Sequence, residues 1–229
     1  MDKELFDNES LEYTDHIPEA VVRRLPKYYR YLTELMRIGE VRVSSNKMSR
    51  DLGFNASQIR RDLNCFGGFG QQGYGYSVEK LRDEIAHILG LDHHYNTVIM
   101  GAGNIGQALI GYPNFRDQGF NILGVFDINP TVVGRMIRGV WTYHVDELES
   151  FAGNNRIDLG IICTPKNVAQ SVADQLVSVG VRGIWNFAPI DVQVRRGVSV
   201  ENVHLNDSLY VLSYRMNWQI GRASCRERV

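Results

Sequence analysis

Three glycines and one acid stand at a spacing that has chemical meaning. Gly101, Gly103 and Gly106 form G-x-G-x-x-G directly after the β-branched run 97–100 and open a helical pattern, and a second apolar run ends in Asp127. In this motif Gly101 permits a tight turn, Gly103 lets the backbone approach a pyrophosphate, and Gly106 permits close packing of helix on strand. An acid about 20 residues further on accepts hydrogen bonds from a ribose. Asp127 would repel a 2′-phosphate, and no cation follows it closely. We therefore predict a site for NAD(H) rather than NADP(H).

The ends of two strands further along the chain are predicted to line the same site. The apolar run 159–163 ends in Thr164-Pro165, and the run 183–185 is followed by the segment 186–189. Ligands of open parallel sheets bind outside the carboxyl ends of the strands, so both segments are predicted to line the nicotinamide side. We interpret Cys163 as a buried small apolar residue. The cofactor-binding residues predicted from these patterns are Gly101, Ala102, Gly103, Asn104, Ile105, Gly106, Asp127, Thr164, Pro165, Asn186, Phe187, Ala188 and Pro189.

A short basic helix indicates a second kind of chemistry. Ile59 and Leu63 lie four residues apart and share one apolar face. The polar residues that fall largely off this face are Ser57, Gln58, Arg60 and Arg61. Gln can pair with adenine, Arg with guanine, and Ser with a phosphate. A solvated polar face is the alternative for either arginine alone, but the combination predicts a DNA-reading helix.

A glycine-rich, aromatic segment follows this helix. Residues 66–76 alternate glycines with aromatic residues around Gln71 and Gln72, which suits a hairpin with a tight turn. In that position a hairpin would form a wing that reaches a groove or a phosphate, although a purely structural hairpin is the alternative. The full set of predicted DNA-contacting residues is Ser45, Lys47, Ser57, Gln58, Arg60, Arg61, Gln71, Gln72 and Tyr74.

The elements around these residues predict an α/β protein with two domains. Helical spacing over 17–38, broken near Pro26, precedes two short helices capped by Ser44 or Ser45 and by Asn55, which is a helix-turn-helix pattern. We predict a winged-helix domain over 17–85. Alternating strands and helices then predict a Rossmann fold with a doubly wound parallel sheet over 86–205.

The two ends of the chain form separate segments. Residues 1–16, here called the acidic segment, hold six acids and one lysine and are expected to form a mobile tail, with a frayed first helix as the alternative. A last helix is predicted over 206–219. Residues 220–229 break from the preceding composition and look like translated adapter sequence, so we expect them to be non-native.

Composition narrows the class of protein further. The net charge is -1, yet residues 17–85 hold twelve lysines and arginines against eight acids, so the basic charge is concentrated in the predicted DNA-binding domain. Three scattered cysteines exclude a disulfide framework and argue against a metal site, which favours reducing cytoplasm. No apolar run approaches the length of a membrane span.

The histidines do not form part of a recognisable enzyme active site. His144 and His204 are the candidate acid–base groups, but neither belongs to a catalytic motif, and almost no chain remains for a substrate domain. We therefore predict a DNA-binding regulator that is not an enzyme and has no catalytic residues. The alternatives are an NAD-dependent dehydrogenase and a CoA- or nucleotide-binding Rossmann protein without redox sensing.

The chain resembles the Rex family of redox-sensing transcriptional repressors from about residue 17 to about residue 214. The segments that carry the resemblance are 57–63, 73–76, 101–106, Tyr112-Pro113, Phe126-Asp127, 186–189 and 200–203. Gln71 and Gln72 depart from members with a basic wing residue, and the family pattern is lost beyond Trp218.

The resemblance implies how such a protein would act. It implies a homodimer whose C-terminal helix swaps between subunits and packs near the partner's nicotinamide site. It also implies that a palindromic operator is bound by the apo or NAD-bound protein and released when NADH binds, with Tyr112 near the cofactor phosphates. The sensed ligands would be NADH and NAD, with no metal and no membrane involved.

Overall fold

The computed structural model describes residues 17–67, 74–112 and 114–226, and the prediction of a mobile acidic segment lies outside them. The chain divides into two compact units between Asp92 and His93. The helices of the first unit are α1 (Glu19–Val22), α2 (Leu25–Arg37), α3 (Ser45–Leu52), α4 (Ala56–Asn64) and α5 (Val78–Ile88). Its two short strands, β1 (Arg42–Val43) and β2 (Tyr76–Ser77), pair in antiparallel fashion.

The helix boundaries of the first unit follow from capping residues. Pro26 lies in the first turn of α2, where its missing N–H costs nothing, so the chain breaks just before it as predicted. Of the two predicted caps for α3, Ser44 is the one used: its Oγ accepts a hydrogen bond from the Lys47 amide at 3.1 Å. Asn55 caps α4 by accepting from the Ser57 amide at 2.9 Å.

One apolar cluster joins all the longer helices of the first unit. Its fully buried members include Leu25 and Leu32 of α2, Met48 of α3 and Ile59 of α4. Helix α5 adds Val78, Leu81 and Ile85 to the same cluster. Because this burial ties the whole of α5 to the first unit, the division falls after Asp92 rather than after residue 85.

The second unit is a seven-stranded sheet with helices between its strands. Its elements are β3 (Tyr95–Met100), α6 (Asn104–Ile110), α7 (Asn114–Asp117), β4 (Phe120–Asp127), β5 (Met136–Ile137), β6 (Val140–His144), a 3-10 turn (Val145–Glu147), α8 (Leu148–Asn154), β7 (Leu159–Ile162), α9 (Ala169–Ser178), β8 (Gly183–Asn186), β9 (Ser199–Asn202) and α10 (Leu205–Arg226). The strand order is β5-β6-β4-β3-β7-β8-β9.

The sheet is doubly wound, as predicted. All neighbouring pairs are parallel except β5 with β6. Successive side chains of β3 point to opposite faces, so Val98 and Met100 enter one apolar cluster while Ile99 enters another. Both faces are therefore covered, which explains why the central strands read as continuous apolar runs rather than as alternating ones.

The structure differs from the sequence predictions in three places. The strand β2 pairs with β1, which precedes α3 and was not predicted; residues 68–73 of the predicted hairpin lie outside the described ranges, so the hairpin over 66–76 stays a prediction. The short elements α7 and β5 were not predicted. Helix α10 runs to Arg226 instead of ending near residue 219, because adding a residue to an existing helix costs little. Whether residues 220–229 are native stays a prediction.

Candidate dinucleotide and DNA sites

The strand order creates a crevice at the carboxyl ends of β3 and β7. These neighbours are connected to the rest of the sheet in opposite directions, which is the topological switch point where doubly wound sheets bind ligands. The segment after β3 begins at Gly101, and the segment after β7 contains Cys163, Thr164 and Pro165. The structure thus brings two of the predicted site segments together.

Backbone packing explains two of the three motif glycines. Gly101 has φ of +106°, and a Cβ added there would lie 2.7 Å from the Cys163 carbonyl oxygen. A Cβ added at Gly106 would lie 2.0 Å from the Gly101 carbonyl oxygen. Both positions are closed to any side chain, so these glycines let the turn, α6 and β7 approach one another.

Gly103 differs from its two neighbours in the motif. Its φ of -71° and ψ of -172° suit any residue, and a Cβ built there would meet nothing within 4 Å. The protein itself therefore imposes no need for glycine at this position. The open space lies beside the first turn of α6, whose amides have no partner within the helix. This cradle, which a side chain would fill, fits a pyrophosphate.

Asp127 is fixed beside the same turn. Its Oδ2 accepts a hydrogen bond from the Ala102 amide at 2.6 Å, and its Oδ1 accepts from the Asn129 amide at 2.8 Å. Each carboxylate oxygen keeps a second lone pair for another donor. The predicted ribose-binding acid and the glycine turn are therefore held together by direct contact.

The end of β7 contributes a hydroxyl group that the protein leaves unused. Thr164 Oγ1 is buried and has no hydrogen-bond partner within the ranges described. The Thr164 amide nitrogen lies 3.3 Å from the position of a Cβ on Gly101, so Thr164 lies at the crevice. A buried polar group without a partner is costly, and a polar ligand would satisfy it. Burial raises the pKa of the neighbouring Cys163 thiol to about 12, which agrees with an inert apolar role.

A cavity of about 430 Å³ lies next to this crevice. Phe187 and Pro189 form part of its wall together with Ile105 from α6, and the start of α10 closes another side. The predicted segments 101–106 and 186–189 thus meet at one cavity. Asn186 and Ala188 of the same segment are buried behind the wall.

Asn186 holds the wall in place. Its Nδ2 donates to the Ile190 carbonyl at 2.6 Å and to Asn202 Oδ1 at 2.8 Å, while its Oδ1 accepts from the Ala188 amide at 3.0 Å. Both of its N–H groups are used within the protein. These bonds give Asn186 a positioning role, and its predicted contact with the cofactor stays a prediction.

Tyr112 is the predicted cofactor residue that the structure does not bring to the glycine turn. It follows the C-terminal end of α6, and this seven-residue helix puts about 10 Å between its two ends. The Tyr112 ring is exposed and packs edge-on against Phe115, with centroids 5.6 Å apart. Its contact with cofactor phosphates stays a prediction.

In the first unit, a buried ionic cluster fixes the predicted recognition helix α4. The Asp62 side chain is 4% exposed and accepts hydrogen bonds from Arg24 Nε at 2.7 Å and Arg24 Nη2 at 2.8 Å. Tyr28 Oη donates to Asp62 Oδ2 at 2.7 Å. Burial of the Tyr28 hydroxyl and its bond to Asp62 raise the pKa of Tyr28 above its usual value. These contacts join α4 to α2 and to the segment between α1 and α2.

The opposite side of α4 presents the predicted DNA-reading residues. Ser57, Arg60 and Arg61 are exposed, and Gln58 is half-buried. Arg60 Nη1 donates to Ser45 Oγ at 2.8 Å, which connects the predicted contacts of α3 and α4. Helices α3 and α4 therefore have the arrangement of a helix-turn-helix, with the polar face of α4 outward.

The base of the predicted wing adds an arginine that the sequence analysis missed. Tyr74 is exposed, and Arg42 Nη1 donates to its carbonyl at 3.1 Å while lying over its ring. The signal for Arg42 was its place in β1, which can be recognised only once β1 is known to pair with β2. Lys47 is held by Glu40 at 2.7 Å. The predicted contacts Gln71 and Gln72 lie outside the described residues.

Comparison with known proteins agrees with this division into two units. A family model described as "Putative DNA-binding protein N-terminus" matches residues 16–64, and one described as "CoA binding domain" matches residues 92–190. The redox-sensing transcriptional repressor Rex of Thermoanaerobacter sp. (strain X514) is 54% identical over 198 residues, which are 86% of this chain and 88% of that protein. The same repressor of Clostridium novyi (strain NT) is 54% identical over 207 residues, which are 90% of this chain and 99% of that protein.

The chain belongs to the Rex family. Among solved structures, a repressor called RSP in complex with β-NAD+ and operator DNA superposes with a TM-score of 0.85 and is 51% identical, covering 93% of this chain and 98% of its own. RSP in complex with β-NADH gives the same TM-score at 49% identity, covering 92% of this chain and 99% of its own. The fold of the Rex family, a DNA-binding N-terminal domain followed by a Rossmann-like parallel sheet, is the fold of this chain.

The two candidate histidines have structural contacts in this Rex-family chain. His144 Nδ1 accepts a hydrogen bond from the Asp146 amide at 3.3 Å and so begins the 3-10 turn. His204 Nε2 and Asp191 Oδ1 lie 2.8 Å apart at the edge of the cavity. Among the residues described, no group of three histidine, cysteine, aspartate or glutamate side chains is placed to hold a metal ion. Within the same ranges, no helix has both the length and the apolarity that a membrane span requires.

Substituting Asp62 tests whether the ionic cluster supports α4. We expect Asp62→Asn to lower the free energy of unfolding by about 2 kcal/mol, because a buried charge-assisted pair with Arg24 is lost. Asp51→Asn is the matched control: Asp51 also accepts from a tyrosine hydroxyl, that of Tyr31, but is exposed, so its loss should cost under about 1 kcal/mol. Urea denaturation of both variants gives the comparison, and equal losses would contradict a special role for Asp62.

Proposed function

We propose that this protein is a redox-sensing transcriptional repressor that binds operator DNA and is released from it by NADH. The proposal rests on one observation: this single chain of the Rex family holds both an outward-facing recognition helix and a dinucleotide crevice. RSP, 51% identical, is described as bound to β-NAD+ together with operator DNA, and a further structure of it holds β-NADH. The proposed place of action is the cytoplasm, where operator DNA and both cofactor forms meet.

The residues of the crevice fit NAD(H). The space at Gly103 and the first turn of α6 would hold the pyrophosphate, and Asp127 would hold the adenosine ribose. Reduction of NAD+ to NADH adds a hydride and removes the positive charge of the nicotinamide ring. Phe187 and Pro189 offer an apolar wall, which favours an uncharged ring because burying an unpaired cation is costly. The site can therefore discriminate between the two redox forms.

Release of DNA requires a large difference in affinity. Changing the ratio of DNA-bound to free repressor from 99:1 to 1:99 takes about 5.5 kcal/mol. Two cofactor sites in a dimer would therefore each supply about 2.8 kcal/mol. The coupling is reciprocal, so operator DNA must weaken NADH binding by the factor by which NADH weakens DNA binding. In a dimer, NADH would favour an arrangement whose recognition helices no longer match major grooves about 34 Å apart.

We propose a homodimer in which α10 packs against a partner subunit. Several of the described side chains of α10 are apolar or aromatic and yet more than half exposed in the single chain. They include Leu209, Tyr210, Leu212, Tyr214 and Met216. An apolar helix face of this extent favours association. Light scattering on the purified protein should give twice the chain mass of 26.0 kDa. A monomer at micromolar concentration would contradict the proposal.

A non-enzymatic role is part of the proposal. The relatives in Thermoanaerobacter and Clostridium are repressors, and the burial that raises the Cys163 pKa to about 12 disfavours a nucleophilic thiol. The match of residues 92–190 to a "CoA binding domain" model keeps a Rossmann protein that binds another nucleotide as the second candidate. That candidate predicts the same response to NAD and NADH, or a response to neither.

Fluorescence anisotropy with a labelled palindromic promoter fragment tests the function directly. The protein is bound to DNA at fixed salt, and NADH, NAD and NADPH are titrated in separate experiments, because DNA affinity is uninterpretable without the salt concentration. We expect release by micromolar NADH, no release by NAD, and a much weaker effect of NADPH because Asp127 repels a 2′-phosphate. DNA binding that responds to none of the three would overturn the redox-sensing function.

A further inference from the structure

We propose that His204 binds the carboxamide group of the nicotinamide ring, and that Asp191 positions it for this contact. The inference rests on the proposed binding of NAD(H) and deepens it, because it names the side chain that recognises the amide, whereas Phe187 and Pro189 respond to the charge of the ring. The observations behind it are the cavity that these residues share, the hydrogen bond between His204 and Asp191, and the attachment of both to the cavity wall.

The cavity beside the glycine turn offers a choice of polar side chains to a ligand. Apart from Tyr210, its polar lining consists of His204, Asn206 and Asp207. Asn206 and Asp207 are exposed, whereas His204 is half-buried. A carboxamide carries two N–H donors and one carbonyl acceptor, and an N–H group that finds no acceptor between apolar walls is costly. The amide of the ligand therefore needs an acceptor on the protein, and His204 is the most enclosed of the three candidates.

The bond to Asp191 decides which ring nitrogen of His204 accepts. Nε2 of His204 and Oδ1 of Asp191 lie 2.8 Å apart. An ionised carboxylate has no proton to donate, so Nε2 is the donor and carries the proton of the neutral ring. Nδ1 then keeps its lone pair. Within the described residues Nδ1 has no hydrogen-bond partner, and it is not an atom that the protein buries completely. His204 is therefore held in the tautomer that an amide N–H requires.

One segment of the chain fixes both His204 and the apolar wall. Val203, the residue before His204, donates its amide hydrogen to the Asn186 carbonyl at 2.8 Å. Asn186 directly precedes the wall residues 187–189, and Asp191 follows them closely. His204 is thus attached to this segment twice, through the backbone that precedes it and through its own ring. This double attachment holds the ring in a fixed position relative to the wall, as a preorganised ligand contact requires.

The carboxamide is the same in NAD and NADH, so the contact should strengthen the binding of both. One hydrogen bond, together with the cost of leaving the ligand N–H without an acceptor, corresponds to about tenfold in affinity. Discrimination between the redox forms stays with the charge of the ring and the apolar wall. Removing the acceptor on His204 should therefore lower both affinities by the same factor.

Isothermal titration of the full chain with NADH and with its reduced acetylpyridine analogue tests the contact. The analogue keeps the carbonyl group beside the ring but carries a methyl group in place of the amide nitrogen, so it has no N–H to donate. We expect the unmodified protein to bind NADH about tenfold more tightly than the analogue. His204→Phe keeps an aromatic ring without an acceptor. It should bind NADH about tenfold more weakly and the analogue with affinity within about twofold of the unmodified protein.

Three further variants separate the contact from its support. His204→Asn retains an acceptor and should keep part of the preference for NADH. Asp191→Asn can donate as well as accept, so it no longer imposes the tautomer, and NADH affinity should fall about threefold while that for the analogue stays unchanged. His87→Phe is the matched control, because His87 pairs with Asp92 at 2.7 Å in the first unit, and it should change neither affinity.

Equal losses for NADH and the analogue in His204→Phe would assign His204 a purely structural role and overturn the inference. Equal affinities of the unmodified protein for the two ligands would overturn it as well. If His204→Phe keeps the preference and Asp207→Asn removes it, the amide is bound by Asp207 and the assignment to His204 is wrong. If the unmodified chain binds neither NADH nor NAD, the proposed function fails first, which is a distinct result.

Discussion

Gly103→Val should weaken the response to NADH about 100-fold while leaving the protein folded. The backbone angles at Gly103 suit a β-branched residue, and the space around its missing Cβ is open, so no atom of the protein opposes the new side chain. The same space is where the backbone must approach a pyrophosphate. We expect NADH affinity to fall at least about 100-fold, which corresponds to about 2.8 kcal/mol.

The effect of Gly103→Val on protein stability should be small compared with its effect on NADH affinity. Valine is a poorer N-cap than glycine, so α6 loses up to about 1 kcal/mol, a change of a few degrees in the melting temperature. Isothermal titration with NADH and thermal denaturation of the apo protein give the two readouts. In the anisotropy assay, the variant should still bind operator DNA and should need about 100-fold more NADH for release.

Gly153→Val is the matched control for this experiment. Gly153 lies in α8, and a Cβ added there also meets nothing within 4 Å, but it is not part of the crevice. We expect its NADH affinity to stay within twofold of the unmodified protein. If Gly103→Val binds NADH as well as Gly153→Val does, the pyrophosphate does not lie at the glycine turn, and the crevice assignment is wrong.

The glycine motif shows what spacing can predict and what it cannot. The pattern placed the turn, the helix beginning at Asn104 and the acid Asp127 correctly, because each has a local cause in chain geometry or in helix termini. It also assigned the tight turn to Gly101, the approach of a pyrophosphate to Gly103 and the packing of helix on strand to Gly106. It could not give how completely backbone contacts close Gly101 and Gly106 to a side chain while the protein leaves room at Gly103.

The features that sequence reasoning could not predict depend on contacts between distant parts of the chain. The positioning role of Asn186 rests on its amide bond to Asn202, a strand partner that no local pattern reveals. Arg42 was overlooked because β1 becomes visible only when it pairs with β2. Tyr112 was included by resemblance; α6 separates it from the glycine turn, and its contact with the cofactor phosphates stays a prediction.

Arg60→Ala should weaken operator binding about 100-fold or more. A good arginine contact with a base edge contributes about 1–3 kcal/mol, and a dimer on a palindrome would lose two such contacts at once. Arg60 lies on the exposed side of α4, and its Nη1 donates to Ser45 Oγ at 2.8 Å. Arg60→Lys should rescue only part of the loss, because a lysine cannot make a two-pronged contact with guanine.

Two further arginine variants test whether the expected effect is specific to Arg60. Arg37→Ala removes an exposed arginine of the same unit, paired with Glu34 at the end of α2, and should change operator affinity less than twofold. Arg61→Ala should weaken binding to all duplexes alike and lower the salt dependence, as expected for a phosphate contact, whereas Arg60→Ala should reduce the preference for operator over unrelated DNA.

The Arg60 and Gly103 variants together test whether the two units act as one switch. Arg60→Ala changes the DNA-binding unit alone, so NADH should bind its apo form with unchanged affinity, and Gly103→Val should bind operator with unchanged affinity. Reciprocity then requires that NADH weaken the residual DNA binding of Arg60→Ala by the factor by which DNA weakens NADH binding to that variant. If Arg60→Ala leaves operator affinity unchanged, α4 is not the recognition helix, and the DNA interface must be sought on another surface of the first unit.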